Sequence, residues 1–320
     1  MSPSRRRLLM RIWFGLAFIL FATQCAIKLR PYLSSIAGAR APSPAQTQEP
    51  RPKARTEGSS LRLASWNLHF LDVEGRGHDA RARIDYQALG RYAQKLDADV
   101  IAVQEVASEA ALSLVFSPDT YAYHLASGGG SQRTGFVFRK TLAARVLPDL
   151  EQLALEDLRA GSDLAVRVGG HELRLLAVHL KAFCVTGSLS RKSKHCSKLS
   201  AQLPILEAWI DARARERAAF IVLGDFNRAL GEPDDSLYRE LDDADPPGLT
   251  LRRAGLRTHT ECQPTKRQHA LDHVLLGGAA THWLSPQGLV ELSYTPADRE
   301  ARLKLSDHCP ISLTLTPPAH

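Results

Sequence analysis

A set of short apolar runs, each bounded by an amide or ionisable side chain, limits how this chain can fold. The runs have the length of strands buried on both faces, and stretches with helical spacing separate some of them. Their polar ends are Asn67, Glu105, His179, Asp225 with Asn227, Asp272, and Asp307 with His308. Burying such groups without partners costs on the order of several kcal/mol. We therefore expect them to meet in one site at the edge of a sheet core.

The residues between these ends predict the remaining elements. Apolar spacing predicts a helix over 84–96 and a longer one over 199–218, with Pro204 marking or kinking its first turn. The pair Gly169-Gly170 between two apolar runs predicts a hairpin turn. Strands that alternate with few helices, several of them linked as hairpins, indicate a layered α/β domain rather than a strict βαβ array.

The first 60 residues differ in composition from the rest. They hold ten Lys or Arg and two Asp or Glu, whereas the remaining chain holds 31 and 32, so the net charge of +7 does not indicate a nucleic-acid partner. A basic start followed by apolar residues 12–22 predicts a signal peptide or an N-terminal membrane anchor over 1–40. The Pro-, Ser- and Gln-rich stretch 41–60 is predicted to be a disordered linker, and 61–318 a folded domain. We expect that domain to be exported: periplasmic, extracellular, or anchored to a membrane outside the cytoplasm.

Four cysteines follow the predicted export segment. An even number in an exported chain favours disulfides. Cys184 and Cys196 flank a loop rich in turn and basic residues and are the preferred pair, which leaves Cys262 with Cys309. Zinc binding is the alternative, but the chain has no CxxC spacing.

Taken in order, the motifs WN, QE, H, GDFN, LDH and SDH resemble the endonuclease/exonuclease/phosphatase superfamily, whose fold is similar to deoxyribonuclease I. The resemblance runs from Leu61 to about Leu315. It implies an α/β fold, a four-layer α/β sandwich with two mixed, mainly antiparallel sheets packed face to face and helices outside. It also implies metal-dependent hydrolysis of phosphodiesters or phosphomonoesters, which makes 61–318 the predicted catalytic domain.

The resemblance also assigns roles to the polar strand ends. Its metal-binding group is Glu105, Asp307 and Asn67, with Mg²⁺ as the expected cofactor and Mn²⁺ or Ca²⁺ as alternatives; Asn67 is also suited to orienting a carboxylate or the phosphate. Its catalytic group comprises His308, Asp272, Asp225, His179 and Asn227, and its substrate-binding group comprises Asn227, His179 and Arg133. Asp225 and the Asp272–His308 pair both remain candidates for the general base. In isolation each residue has an ordinary structural explanation, such as a solvated strand-end Glu or a buried core His.

Two features bear on the function more closely. Asp225 and Asn227 lie two apart in a segment expected to be extended, so both side chains should leave one face while Phe226 points into the core. The basic stretch 191–198 is either a solvated loop or a cationic rim that guides a polyanion. We expect an exported nuclease acting on nucleic acid, with no protein partner. The alternatives are a phospholipid or sphingomyelin phosphodiesterase, an inositol phosphate phosphatase, and, least favoured, a non-catalytic binding module.

Overall fold

A computed structural model describes residues 60–128, 130–262 and 269–319. The predicted signal or anchor at 1–40 lies outside the described residues, as does the predicted linker up to residue 59. The described chain enters its first strand at Leu61. No helix in these residues is long and apolar enough to span a membrane.

The strands of the described chain are β1 (Leu61–Leu71), β2 (Val100–Val106), β3 (Tyr121–Leu125), β4 (Arg133–Arg139), β5 (Ala144–Val146), β6 (Ser162–Val168), β7 (His171–His179), β8 (Ala219–Asp225), β9 (Arg252–Arg253), β10 (Asp272–Gly277), β11 (Val290–Glu291) and β12 (Ile311–Leu315). Its α-helices are α1 (Arg83–Leu96), α2 (Glu109–Leu112), α3 (Lys194–Arg215), α4 (Ser236–Leu241) and α5 (Pro296–Glu300). Two 3₁₀ turns cover Glu151–Leu153 and Gly278–His282.

The strands form two six-stranded sheets of similar design. The first has the order β11-β12-β1-β2-β4-β3 and the second β5-β6-β7-β8-β10-β9. In each sheet one central pair is parallel, β1 with β2 and β7 with β8, and the other pairs are antiparallel. Both sheets are therefore mixed and mainly antiparallel.

Three apolar clusters define the layers. One cluster joins the facing sides of the two sheets, and it includes Leu63, Val100, Leu175 and Ile221. A second cluster packs α1 against the outer side of the first sheet, and a third packs α3 and α4 against the outer side of the second. Because the central strands are buried on both faces, they read as continuous apolar runs. The predicted four-layer α/β sandwich is confirmed.

Most local predictions agree with these elements. Helix α1 begins one residue before the predicted 84–96 span and ends with it. The β6–β7 hairpin turns at Gly169 and Gly170, whose φ values of 53° and 85° require the left-handed region that glycine enters readily.

The prediction for the start of the long helix was wrong. Helix α3 begins at Lys194, and Pro204 lies in its interior rather than in its first turn. The side chain of Ser193 accepts a hydrogen bond from the backbone N–H of His195 and so caps the helix earlier than the apolar pattern indicates. The cysteines form the two predicted pairs, Cys184 with Cys196 and Cys262 with Cys309, with Cα separations of 5.0 and 5.2 Å.

Candidate active site

The two parallel strand pairs deliver polar side chains to one place. Asn67 and Glu105 lie towards the carboxyl ends of β1 and β2, and His179 and Asp225 are the last residues of β7 and β8. The two pairs belong to different sheets. Their ends meet, as shown by the 3.1 Å between the Asn67 amide nitrogen and an Asp225 carboxylate oxygen. The site therefore lies where both sheets end.

The antiparallel neighbours supply the remaining groups. Asp272 is the first residue of β10 and pairs in register with Asp225, the last residue of β8. His308 lies just before β12, which runs antiparallel to β1. An antiparallel neighbour begins where its partner ends, so LDH and SDH come to the same edge as WN and GDFN.

Asp225 lies at the centre of the site and is only 1% exposed. Its Oδ2 accepts hydrogen bonds from the side-chain amides of Asn67 and Asn227, at 3.1 and 3.2 Å. Its Oδ1 accepts the backbone N–H of Asn227 at 2.8 Å. Burial raises the pKa of Asp225 to about 7, and the nearby Asp272 and Glu105 carboxylates act in the same direction against His308.

His308 forms a short hydrogen bond with Asp272, with 2.6 Å between Nδ1 and the carboxylate Oδ2. Its Nε2 lies 3.9 Å from Asp225 Oδ2. Burial opposes a charge on this imidazole, but the Asp272 and Asp225 carboxylates outweigh it and raise the pKa of His308 well above its ordinary value. The two carboxylates therefore favour the imidazolium form of His308.

His179 is the opposite case in the same pocket. Its Nε2 lies 3.5 Å from Asp225 Oδ2 and 3.8 Å from Glu105 Oε1. Burial lowers the pKa of His179 well below its ordinary value, and the positive charges of Arg159 and His308 add to the effect. Its Nδ1 is buried without a hydrogen-bond partner among the described residues. The side chain is thus a neutral imidazole with spare hydrogen-bonding capacity.

Glu105 is held in an irregular backbone. Its φ of 59°, with 45° at His69 and 52° at Phe70, places three non-glycine residues in the left-handed region. The β1–β2 register shifts between Asn67 and Leu71. The backbone N–H of Phe70 donates to Glu105 Oε2 at 3.2 Å, and Asn67 Nδ2 donates to Oε1 at 3.1 Å. Such conformations cost about 1–3 kcal/mol each, and the bulge aims the carboxylate into the pocket.

The backbone geometry at position 224 explains why the GDFN motif begins with glycine. A Cβ at this position would lie 2.1 Å from the Val178 carbonyl oxygen, and the φ of 140° is one that side chains rarely adopt. Phe226 is buried, as predicted. The expected extended path was wrong, because β8 ends at Asp225 and Asn227 has a left-handed φ of 51°. The two side chains nevertheless meet.

Two predicted site residues have their closest polar partners outside the central group, although the Asp307 carboxylate lies near enough to help raise the pKa of His308. Asp307 pairs with His69, whose Nδ1 lies 2.9 Å from its carboxylate. Arg133 donates to the carbonyl oxygen of Ala107 and, among the described residues, forms no hydrogen bond or ion pair with another predicted site residue. Asn67 Oδ1 accepts the His69 N–H at 2.9 Å, so this amide turns its NH₂ group towards the carboxylates.

The sequence interpretation missed Arg159, which is 9% exposed. One terminal nitrogen donates to the Leu180 carbonyl at 2.9 Å, and Nε has no partner in the described chain. The carboxylates of Asp225 and Glu105 act on its charge, so it lies close to the pocket. The signal that was available is its place just before β6, whose hairpin partner β7 ends at His179.

His69 and Arg81 were also missed, and both support the edge of the site. Arg81 is buried and donates to the carbonyl oxygens of Leu68, His69, Lys304 and Leu305. These bonds join the irregular end of β1 to the segment that leads into SDH. Nothing local in the sequence marks this role.

The donor set fits a hard divalent cation. Ligand atoms of Asp225, Asp272 and His308 lie within 4.8 Å of one another, and Glu105 is joined to this group through Asn67. Asp272 Oδ1 is buried without a hydrogen-bond partner in the described residues. Buried carboxylate oxygens that lack partners are the ligands that Mg²⁺, Mn²⁺ and Ca²⁺ prefer.

Comparison with known proteins agrees with this geometry. No curated protein matches the sequence significantly. Similar solved structures include truncated TDP2 from Caenorhabditis elegans, with a TM-score of 0.57, 16% identity, and coverage of 80% of this chain and 97% of that chain. The human Nocturnin catalytic domain with a bound sulfate anion has a TM-score of 0.54 and 18% identity, with coverage of 80% of this chain and 94% of that chain. The 3' phosphatase NExo from Neisseria, bound to a product DNA hairpin, has a TM-score of 0.50 and 16% identity, with coverage of 79% of this chain and 98% of that chain.

At these identities the structural likeness establishes the fold alone. The sequence itself matches the model of the endonuclease/exonuclease/phosphatase family over residues 64–308, which is more than half of the chain and spans the motifs from WN to SDH. The chain belongs to the endonuclease/exonuclease/phosphatase family.

Proposed function

We propose that the chain is a divalent-metal-dependent phosphoesterase that hydrolyses phosphodiester bonds in nucleic acid. One observation carries the proposal: Asp225, Asp272 and His308 converge in a buried pocket with Glu105 and His179 beside them. Members of this family act on phosphoesters. A binding module would have no use for three carboxylates held against buried histidines at the desolvation cost this implies.

The proposed cation ligands are Glu105 and Asp307, with Asp225 and Asp272 facing the same pocket. Asn67 is better suited to orienting Glu105 than to ligation, since its amide oxygen already accepts a backbone N–H. When bound, the cation would polarise a phosphoryl oxygen and offset the negative charge that develops there. Mg²⁺ is the proposed ion, with Mn²⁺ and Ca²⁺ as alternatives.

The two acid–base groups differ in a way that favours separate roles. Asp225, with a pKa raised to about 7, is close to half ionised at neutral pH and is suited to accept a proton from water. His308 keeps its proton on Nδ1 against Asp272, so Nε2 is the nitrogen that can face a phosphate or leaving oxygen. We assign Asp225 as the base and the Asp272–His308 pair as the proton donor.

Three further side chains are proposed to hold the phosphate. Asn227 directs its amide towards Asp225 Oδ2 and the Leu180 carbonyl, beside neutral His179. Arg159 brings a buried guanidinium whose only described hydrogen bond goes to the Leu180 carbonyl. A guanidinium with free N–H groups in a site of low dielectric is a strong phosphate ligand.

The substrate class rests on less direct support. A Neisseria protein of similar fold carries a DNA hairpin, and this favours nucleic acid over lipid or inositol phosphate. Export of the catalytic domain, 61–318, is proposed from the N-terminal sequence and from two cysteine pairs that an oxidising compartment would maintain.

The test is a substrate panel with the purified full-length chain. Plasmid DNA, RNA, sphingomyelin vesicles and inositol phosphates are each incubated with Mg²⁺, Mn²⁺ or Ca²⁺, and in parallel with EDTA. We expect EDTA-sensitive cleavage of DNA or RNA. Cleavage of sphingomyelin or inositol phosphate alone would replace the substrate assignment, and metal-independent cleavage would contradict the mechanism.

A further inference from the structure

The segment that follows His179 carries an aromatic ring into solvent. Phe183 is 72% exposed, more than any other large hydrophobic side chain in the described residues. Its φ of 71° lies in the left-handed region, where a bulky side chain is a true outlier and costs about 1–3 kcal/mol. Core packing explains neither the exposure nor the strained backbone.

A disulfide holds this ring against a second one. Phe183 immediately precedes Cys184, and His195 immediately precedes Cys196, its disulfide partner. The two rings meet edge to face, with centroids 5.1 Å apart. The covalent link therefore restricts the position of Phe183 on the surface. A ligand that bound this ring would lose little free energy to ordering it.

Positive charge surrounds the ring. Lys181 Nζ lies 5.3 Å from the centroid of Phe183. Burial lowers the pKa of Lys181, and the positive charges of Arg159, Lys198 and Lys194 lower it further, while the Asp157 carboxylate acts against them. Lys198 is paired with Glu156. Within the described ranges, no carboxylate forms an ion pair with Lys181, Lys194 or Arg191, and Arg191 contacts the disulfide through Cys196.

The ring lies within reach of the pocket. Four residue steps separate Phe183 from His179, so their Cα atoms are at most ~14 Å apart. The segment starts at the site itself, because the Leu180 carbonyl accepts hydrogen bonds from Asn227 and Arg159. A polymer whose phosphate lay at Asp225 could therefore place a neighbouring unit over Phe183.

We propose that Phe183, flanked by Lys181 and His195, is a stacking platform for a base of single-stranded nucleic acid. The inference rests on the proposed function and names the form of its substrate: a strand with unpaired bases next to the phosphate that is cleaved. Base–aromatic stacking contributes about 1–3 kcal/mol per base and tolerates any sequence, while cations follow the backbone. A lipid bilayer fits this surface less well, because the described neighbours of the single ring are cationic and polar.

The experiment measures binding without hydrolysis. The full-length chain in EDTA is titrated into a fluorescent oligothymidylate and into an oligomer of equal length with abasic sugars. We expect Phe183→Ala to weaken oligothymidylate binding about 10-fold, and Phe183→Tyr, which keeps a ring, by less than about 2-fold. Binding of the abasic oligomer should be the same in all three proteins. Ile84→Ala, which truncates a side chain that is 57% exposed on α1, is the matched control and should change neither affinity.

Two results would overturn the platform. One is an equal loss of affinity for both oligomers in Phe183→Ala, which would show that charge rather than stacking binds the strand. The other is unchanged oligomer binding with a loss of binding to sphingomyelin vesicles. Cleavage of the same oligomers with Mg²⁺ is measured separately. Base-dependent binding without cleavage would refute the nuclease assignment alone, and cleavage without base-dependent binding would refute the platform alone.

Discussion

The adjacent residues Asn227 and Arg228, at the end of the segment GDFNR, face two different buried polar regions. Asn227 faces the pocket, whereas Arg228 faces a network beneath the Cys184–Cys196 loop. Arg228 is 0% exposed and donates to the Asp235 carboxylate at 2.6 Å and to the Cys184 carbonyl at 2.9 Å. The remaining donors of its guanidinium reach Gly187 and Ser236.

The two regions differ in how completely their charges are matched. Asp235 balances Arg228 and also caps α4, so the network uses its buried charges for structure. In the pocket, His179 Nδ1, Asp272 Oδ1 and Arg159 Nε lack partners in the described chain. The carboxylates of the pocket outnumber its cations, and these three polar atoms have no partner in the described residues. We therefore expect them to bind a ligand. Incomplete pairing, more than burial itself, is therefore what distinguishes the proposed active site from the Arg228 network.

The largest effect on stability is expected in the network. Arg228→Met removes one partner of a buried ion pair and should lower the free energy of unfolding by about 3–5 kcal/mol. The double variant Arg228→Met/Asp235→Asn should lose less, because it leaves no buried charge unmatched. Urea unfolding monitored by circular dichroism measures both. A loss below about 1 kcal/mol for the single variant would contradict the structural role of the network.

Divalent cations should stabilise the pocket and leave the network unaffected. With Mg²⁺ or Mn²⁺ at about 100 times its Kd, the free energy of unfolding should rise by about 2.7 kcal/mol relative to EDTA. Glu105→Gln should lose most of this gain, whereas Arg228→Met should keep it. An equal gain in wild type and Glu105→Gln would show that the cation binds elsewhere.

A smaller effect on stability, which depends on pH, is expected in the pocket but not in the Arg228 network. Because the folded pKa of His308 is raised, its contribution to stability is fully present below the unfolded value of about 6.5 and is lost as pH rises through the folded value. In EDTA, the difference in unfolding free energy between wild type and His308→Gln should shrink by about 1 kcal/mol or more between pH 6 and 9.

Arg228→Met is the control for this titration, because the partner of Arg228 is a carboxylate rather than an imidazole. Its effect should be the same at both pH values. A His308→Gln difference that stayed constant with pH would argue against the Asp272–His308 ion pair.

The polar strand ends could be predicted from sequence because each depends on a local pattern, an apolar strand and the residue at its end. Strand pairing then brings Asp272 opposite Asp225 without further information. The fold could be predicted for a related reason, since strands buried on both faces imply covered sheets.

Other features depend on tertiary structure and left no local signal. The left-handed backbone at Glu105 and Asn227 contradicts the extended path that the apolar run suggests. Pro204 stands in the interior of α3 because the Ser193 cap starts that helix at Lys194, more than one turn before the apolar pattern does. Arg159 reads as an ordinary arginine until the hairpin places it beside His179.

The direct test of the site is the rate of phosphodiester hydrolysis in wild type and His308→Ala, in saturating Mg²⁺ and at an equal folded fraction. If the strand-end residues form the catalytic pocket, His308→Ala should be slower by roughly 10²-fold or more, the scale of a general acid–base group. Hydrolysis at the wild-type rate in His308→Ala would contradict the assignment of this pocket as the active site.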